Sequence, residues 1–383
     1  MKKALQLASV ASMIDQFTIP NIELMQSLGY QVDVVADFSN PGNITVDRSK
    51  QLMRRLEKKG VHVFDVAIPR SLRVFCIYRA YRIVCEIIRS NQYELIHCHS
   101  PIGGAIARLA AKTERRAGTK VIYTAHGFHF FAGAPLKNWI VFYPIEKWLS
   151  KYTDTLITIN KEDYQRALKN FSAKQTVYVP GIGIDISKFR KESTKSIRED
   201  FGIDQNACLL LSVGELNKNK NHEMVIKALA KMTNQPYYLI VGKGEKQQEL
   251  EKLIEKENLS LKVKLVGFRE DVSDFYGSAD VFVFPSFREG LSVSLMEAMA
   301  SGLPVACSEI RGNTDLIDEG KGGFFFDPAH IDSITRSIMK IASGEGKKMG
   351  EYNIQKIELF SIDNVLKKMK SIYENCIQTE QEE

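Results

Sequence analysis

Residues Pro285–Val305 read PSFREGLSVSLMEAMASGLPV. The run just before them, Val281–Phe284, is continuously apolar and β-prone, which predicts a buried parallel strand. Val293–Ala300 is rich in Leu, Met and Ala, which predicts a helix. Between the two, Glu289 stands in a turn beside Gly290, and Glu297 follows eight residues later inside the apolar helix. A strand, a glycine turn and a helix N-terminus make a natural seat for an anion. The first N–H groups of the helix have no partner within it, and its dipole favours negative charge there. Two carboxylates beside such a seat repel phosphate, so they need another task. Accepting hydrogen bonds from sugar hydroxyls is one, and a nucleotide-sugar carries both a diphosphate and two sets of hydroxyls.

At 383 residues the chain is too long for one ordinary core, which suggests two domains. It is 44% hydrophobic and 26% charged, the balance of a soluble globular protein. No apolar stretch reaches the roughly 18 uncharged residues of a membrane span. The opening MKKALQLASVASM could pass for a weak signal peptide. A polar amphipathic helix, Ile19–Leu28, follows at once with no clear cleavage site, so the segment reads as a first strand. Cys76, Cys85, Cys98, Cys208, Cys307 and Cys376 are scattered, mostly in apolar runs, and read as reduced core residues of a cytoplasmic protein. His97-Cys98-His99 resembles a metal cluster, but with no CxxC or HExxH elsewhere a structural role is the better reading.

Charge is unevenly divided. Residues 1–180 carry 25 Lys+Arg against 14 Asp+Glu, a net +11, and the remainder carries 27 against 32, a net −5. A basic half points to a polyanion or an anionic membrane surface, with ordinary surface variation as the alternative.

Strands and helices alternate along the first half. Strands are expected at Ala4–Val10, Gln31–Ala36, Val61–Val66, Leu95–His97 and Lys120–Ala125. Helices are expected at Ile19–Leu28, Lys50–Lys59, Leu72–Ser90 and Gly103–Ala111. This alternation predicts a doubly wound parallel sheet, with ligands at the carboxyl ends of its strands, where His97, His99 and His126 fall. Ser9–Asp15 reads as a glycine-free loop after the first strand. A second series starts at Leu209 and runs through strands at Tyr237–Val241, Val263–Val266, Val281–Phe284, Val305–Cys307 and Gly323–Phe326. The Pro/Gly-rich link within Val177–Phe189 marks the boundary. Expected domains are 1–185 and 190–360, with a helix in 361–383 that packs back on the first domain and frays over its last residues.

Four strand ends of the second series bear glycine or polar residues. SVGELNKNKNH (Ser212–His222) offers Lys220, with Lys218 reading as a solvated residue. VGKGE (Val241–Glu245) permits close backbone approach. VGFREDV (Val266–Val272) places Phe268 and Arg269 where they could flank a nucleobase, and the opening stretch is the fourth.

In this order, and with GFFFDP after them, these motifs resemble the retaining family-4 glycosyltransferases of GT-B fold, whose signature is the E-x7-E pair, here Glu289 and Glu297. HCHSPIGG (His97–Gly104), YTAHGFHFF (Tyr123–Phe131), ITINKEDY (Ile157–Tyr164) and VPGIGID (Val179–Asp185) resemble its bacterial capsule and exopolysaccharide branch. The resemblance implies two doubly wound Rossmann-like domains facing a central cleft. It implies that Glu289 contacts the donor sugar, with the backbone of Gly290, Leu291 and Ser292 on sugar and diphosphate. It gives Glu297 the ribose hydroxyls, Lys220 the diphosphate, and Arg269 a place near the base through its backbone. Gly214, Glu215 and Gly242 belong to the same donor site, and His126 reaches the donor sugar from the first domain. The resemblance further implies a UDP-sugar as donor and a lipid-diphosphate-linked saccharide as acceptor. No nucleic acid is expected as a partner.

Two departures stand out. Many members have arginine where this chain has Glu215, and many have a glycine-rich loop where it has Ser9–Asp15. No D-x-D occurs, which fits an enzyme with neither metal nor cofactor. Retention by attack on the face from which the diphosphate departs requires no protein nucleophile, and Glu297, occupied with ribose, rules out the two-carboxylate logic of glycosidases. The acceptor is expected on the basic first domain, at the inner face of a bacterial membrane. Leu72–Ser90 (Arg79, Arg82, Glu86 and Arg89 on one face) and Trp139–Leu149 are candidate headgroup contacts, with core burial as the alternative for most of their residues. A UDP-sugar epimerase of the same fold and a non-catalytic sugar-nucleotide-binding protein remain alternative readings.

Overall fold

A computed structural model describes residues 2–190 and 197–378. Residues 191–196, inside the expected second domain, and 379–383, at the end expected to fray, lie outside the described residues. The chain forms two compact units. One runs to Ile182 and resumes at Val365, and the other is Gly183–Asn364.

The first unit begins with β1 (Lys3–Val10), helical turn α1 (Ala11–Met13), a π turn (Ile14–Thr18) and α2 (Ile19–Ser27). Then come β2 (Gln31–Asp37), α3 (Val46–Lys58), β3 (His62–Asp65), α4 (Val74–Asn91) and β4 (Leu95–His99). It continues with α5 (Pro101–Ala110), β5 (Lys120–Ala125), α6 (Leu136–Ser150), β6 (Thr155–Thr158), α7 (Lys161–Asn170) and β7 (Gln175–Tyr178). The strands form one parallel sheet in the order β3-β2-β1-β4-β5-β6-β7.

Three expectations need correction. Of the loop expected at Ser9–Asp15, Ser9 and Val10 end β1 and the rest is helical. With no glycine to turn on, β1 passes directly into α1, and Ala11 and Ile14 are fully buried. Pro20 has no N–H for the carbonyl of Gln16, and the π turn accommodates it, with the Thr18 hydroxyl donating to the Ile14 carbonyl at 3.2 Å. Helix α3 starts earlier than expected, because the Thr45 side chain caps it by accepting from the N–H of Arg48 at 3.2 Å. The sequence reading also passed over β6, whose threonines disguise a strand buried along its whole length between β5 and β7. Among the cysteines, Cys85, Cys98 and Cys307 are buried, but Cys76 is exposed on α4 rather than in the core.

The second unit starts with the short α8 (Ile197–Asp200), then β8 (Leu209–Val213), α9 (His222–Ala230), β9 (Tyr237–Val241), α10 (Gln247–Lys256) and β10 (Val263–Gly267). It goes on through α11 (Val272–Ser278), β11 (Val281–Phe284), α12 (Val293–Ala300), β12 (Val305–Ser308), α13 (Asn313–Leu316) and β13 (Gly323–Phe326). Helices α14 (Ile331–Lys340) and α15 (Gly346–Ile357) close it, and α16 (Ile362–Gln378) leaves it. Its sheet is also parallel, in the order β10-β9-β8-β11-β12-β13. Helix α12 buries Leu295, Met296 and Met299 against that sheet, worth about 1.5–3 kcal/mol per side chain.

Most of α16 belongs to the first unit. Val365, Met369, Ile372 and Tyr373 recur at helical spacing and bury themselves beside Ala4, Ile22, Met25 and Val32. No helix among the described residues is long and apolar enough to cross a membrane.

Candidate active site

In each sheet the strand order reverses at one place, between β1 and β4 in the first unit and between β8 and β11 in the second. A crevice opens at such a point, because the connections on either side leave in opposite directions. In the second unit the loops leaving β8 and β11 therefore meet, and they are fastened together. The Asn219 side-chain amide donates to the Arg288 carbonyl at 3.0 Å, the Phe287 N–H donates to the Asn219 carbonyl at 2.9 Å, and the Asn221 amide donates to the Pro285 carbonyl at 3.1 Å.

This seam aims Lys220 at Glu289. Lys220 Nζ lies 2.7 Å from Glu289 Oε1, with both side chains largely buried (18% and 14% exposed). The ammonium also sits 4.7 Å from the centre of the Phe284 ring. Its methylenes pass over Gly214, where an added Cβ would stand 3.2 Å from Lys220 Cε. Glu215, the residue in the arginine position, is exposed and accepts from the Asn217 side-chain amide at 2.9 Å. Lys218 is exposed too, so Lys220 is the cation that the loop brings to the crevice.

Neighbouring strand ends close in on the same place. Gly242, after β9, is so near Gly214 that a Cβ would fall 1.9 Å from the Gly214 carbonyl oxygen. Gly312, after β12, has φ +83°, and a Cβ there would meet the Gly290 carbonyl oxygen at 2.4 Å. Beside it the buried Arg311 donates from Nε to the Glu289 carbonyl at 3.1 Å, fixing the backbone that carries Glu289. Sequence reasoning passed over Arg311 and Gly312. The signal available was an Arg-Gly pair following β12, the strand next to β11.

Helix α12 opens at Ser292, whose hydroxyl accepts from the Leu295 N–H at 3.4 Å. Gly290 and Leu291 form the turn ahead of it. Glu297, on the part of α12 that is not fully buried, accepts a hydrogen bond from the Tyr276 hydroxyl at 2.9 Å. Burial raises its carboxyl to about 7, against the lowering effect of Tyr276. The Tyr276 hydroxyl also reaches the Ser294 carbonyl at 3.0 Å. Arg269, after β10, spends its guanidinium on Asp271 in a two-point contact at 2.8 and 2.6 Å, while Phe268 beside it is exposed.

His126 belongs to the other unit, at the end of β5, and it terminates a chain of hydrogen bonds. His126 Nε2 is 3.1 Å from His99 Nδ1, His99 Nε2 is 2.9 Å from Gln6 Oε1, and Gln6 Nε2 is 3.3 Å from His97 Nδ1. His97 also meets the Tyr373 hydroxyl (2.9 Å, Nδ1) and the Thr124 hydroxyl (2.8 Å, Nε2). The pair His97 and His99 is thus committed to a side-chain network. Burial lowers His97 to about 3 and His126 to about 4 and holds His99 well below the usual range, so the rings are neutral near pH 7.

Neutral rings let the proton positions be deduced. Gln6 Nε2 lies 3.5 Å from Met25 Sδ, which orients the amide. Gln6 Oε1 can only accept, so His99 carries its proton on Nε2 and accepts at Nδ1. His126 must then donate from Nε2, which leaves its Nδ1 as an acceptor. Nitrogen-15 spectra of the imidazoles should show an unprotonated Nδ1 on His126. In Gln6→Met that fixed tautomer should give way to a mixture, with about 1–3 kcal/mol of stability lost for the unsatisfied His99 N–H.

The fold is thus two Rossmann-like units with parallel sheets, the second carrying a cation, two carboxylates and a helix N-terminus on the loops and helix at its switch point, as in the GT-B architecture. Residues 21–181 match the family described as glycosyl transferase 4-like domain, and residues 193–356 match that of glycosyl transferases group 1. The putative glycosyltransferase EpsD of Bacillus subtilis (strain 168) is 35% identical, over 97% of this chain and 96% of its own. The chain belongs to the family-4 glycosyltransferases of GT-B fold. It is 24% identical, over 96% of its length and 95% of the relative's, to an Escherichia coli UDP-Gal:α-D-GlcNAc-diphosphoundecaprenol α-1,3-galactosyltransferase. Among solved structures, HepE of Anabaena in complex with UDP and glucose superposes with a TM-score of 0.77 at 17% identity, over 98% of this chain and 100% of that one.

Proposed function

We propose that this protein transfers a hexose or N-acetylhexosamine from a UDP-sugar to a lipid-diphosphate-linked sugar, with retention of configuration, during bacterial exopolysaccharide or capsule assembly. The observation that carries the reading is the Lys220–Glu289 ion pair at 2.7 Å, set beside the start of α12 and on the same short segment as Glu297. A diphosphate offers Lys220 more negative charge than Glu289 does. The donor's arrival would draw the ammonium to the phosphates and free the Glu289 carboxylate for sugar hydroxyls.

In this reading Glu297 accepts from the ribose hydroxyls. The N–H groups of Gly290, Leu291 and Ser292 face sugar and diphosphate, with Gly214, Glu215 and Gly242 forming the floor and the Arg269 backbone near the base. His126 accepts a sugar hydroxyl proton through Nδ1. The acceptor hydroxyl attacks the anomeric carbon on the face from which UDP leaves. The bond from that carbon to the phosphate oxygen breaks, the acceptor proton passes to the departing β-phosphate, and UDP is released. Lys220 and the helix N-terminus hold the charge that develops, without a metal. The lipid acceptor and the basic first domain support a peripheral site of action on the inner face of the membrane.

The test is incubation with a panel of UDP-sugars, with and without a lipid-diphosphate sugar, in the presence of a chelator. UDP and an α-linked product are expected only when both substrates are present. Donor conversion without acceptor would favour the epimerase, and donor binding without turnover a sugar-nucleotide-binding protein.

A further inference from the structure

Between α4, α5 and α6 the first unit carries an apolar groove of about 500 Å³, lined among others by Ile77, Tyr78, Ile102, Leu109, Ile145 and Trp148. Apolar side chains on the two flanking helices stand in water: Val74 is 74% exposed, Phe75 91%, Leu136 73% and Ile140 66%. Ile145 and Trp148, three residues apart on α6, line the groove, while Leu136 and Ile140, four residues apart, stand on another side of the same helix. An apolar groove with exposed apolar side chains on the helices that flank it marks a place where something docks. Among the described residues lining the groove the one carboxylate is Glu146, which the buried Arg108 neutralises at 2.9 Å.

The groove runs into a second hollow of about 410 Å³, lined by Lys112, Arg115, Arg116, Lys151, Tyr152 and Lys174, with Lys112 and Tyr152 common to both. Asp154 engages Arg115 at 2.7 Å and Lys174 at 3.2 Å. Lys112, Arg116 and Lys151 make no such ion pair with it. Lys151 Nζ lies 5.1 Å from the Trp148 ring and 5.0 Å from the Tyr152 ring, and Lys112 Nζ lies 5.5 Å from the latter. Ammonium groups beside Trp and Tyr, at the edge of an apolar surface, are what a headgroup layer accommodates.

We infer that this face docks on an anionic bilayer, with acyl chains of acidic phospholipid entering the groove and a lipid phosphate over Lys112, Arg116 and Lys151. The inference rests on the lipid-linked acceptor proposed above and names the surface by which the protein reaches it. A second copy suits the face less well, since a two-fold interface would oppose two like-charged hollows.

Sedimentation of the full chain with vesicles, in the absence of any sugar, tests it. The protein should bind phosphatidylcholine vesicles containing phosphatidylglycerol, weaken with added salt, and leave vesicles of phosphatidylcholine alone unbound. The triple variant Lys112→Gln/Arg116→Gln/Lys151→Gln should weaken binding on the order of a hundredfold, about fivefold per cation. Val74→Ser/Phe75→Ser, at two exposed positions, should remove binding while circular dichroism stays unchanged. The chain has 2 tryptophans, so Trp139→Phe leaves Trp148 alone, and its emission should be quenched by brominated acyl chains. Equal binding to both vesicle types, an unquenched Trp148, or self-association abolished by Val74→Ser/Phe75→Ser would overturn the inference. Transfer to a short-chain, water-soluble acceptor keeps the two readings apart. The Val74→Ser/Phe75→Ser variant should retain it, and a wild type that binds vesicles but transfers nothing would refute the proposed function alone.

Discussion

Replacing Lys220 with alanine should lower transfer turnover by about 10²–10³-fold, the usual cost of deleting a preorganised group that faces developing charge. The case rests on placement. The ammonium is 2.7 Å from Glu289, 4.7 Å from the Phe284 ring and 18% exposed, so its charge is poorly shared with water. Lys220→Ala also strands the Glu289 carboxylate, and a purely structural ion pair would give a stability loss from that alone. The double variant Lys220→Met/Glu289→Gln separates the two effects. Removing both charges should restore the melting temperature while turnover remains lost. If the double variant turns over as wild type does, Lys220 has no part in the chemistry.

Replacing Glu297 with alanine should weaken UDP binding about a hundredfold, from two charge-assisted hydrogen bonds worth roughly 1.5 kcal/mol each. The fold should tolerate the change, because the Tyr276 hydroxyl keeps the Ser294 carbonyl as acceptor at 3.0 Å. A pH dependence follows from the raised carboxyl, at about 7. The folded protein favours the protonated acid, so this group's contribution to stability is full below the ordinary glutamate range and is lost as pH rises through about 7. Binding has the opposite sign, since the ionised carboxylate accepts from both ribose hydroxyls. UDP affinity should therefore climb as pH rises through about 7, and the climb should vanish in Glu297→Gln. Calorimetric titration at several pH values reads both, and an unchanged affinity in Glu297→Ala would refute the ribose assignment.

The bounds of β11 and α12 were legible because composition changes sharply there, from Val-Phe-Val-Phe through Pro-Ser to a run of helix formers. Strand β6 was not, because its two threonines read as polar although the sheet buries both. Helices α14 and α15 were also passed over. The two glutamates and Lys220 could be named from sequence, but not what they touch. Lys220 and Glu289 are 69 residues apart, and Tyr276 is 21 from Glu297. Such contacts arise only once strand order is known. The histidines were visible at strand ends, whereas the part played by Gln6 depends on β1 lying beside β4, which local pattern does not encode. The apolar character of Trp139–Leu149 was plain in the sequence, and its exposure was not, since an all-round apolar helix is usually buried.

The return of α16 to the first unit has a consequence for biosynthesis. Val365, Met369 and Tyr373 emerge from the ribosome only after the whole of Gly183–Asn364, so the unit begun first is completed second. Until then Ile22 and Met25 lack their covering side chains, and His97 lacks the Tyr373 hydroxyl. A nascent chain paused before Val365 would expose apolar surface to chaperones and proteases. It would also carry an incomplete histidine network, so the network that orients His126 is assembled only when α16 docks.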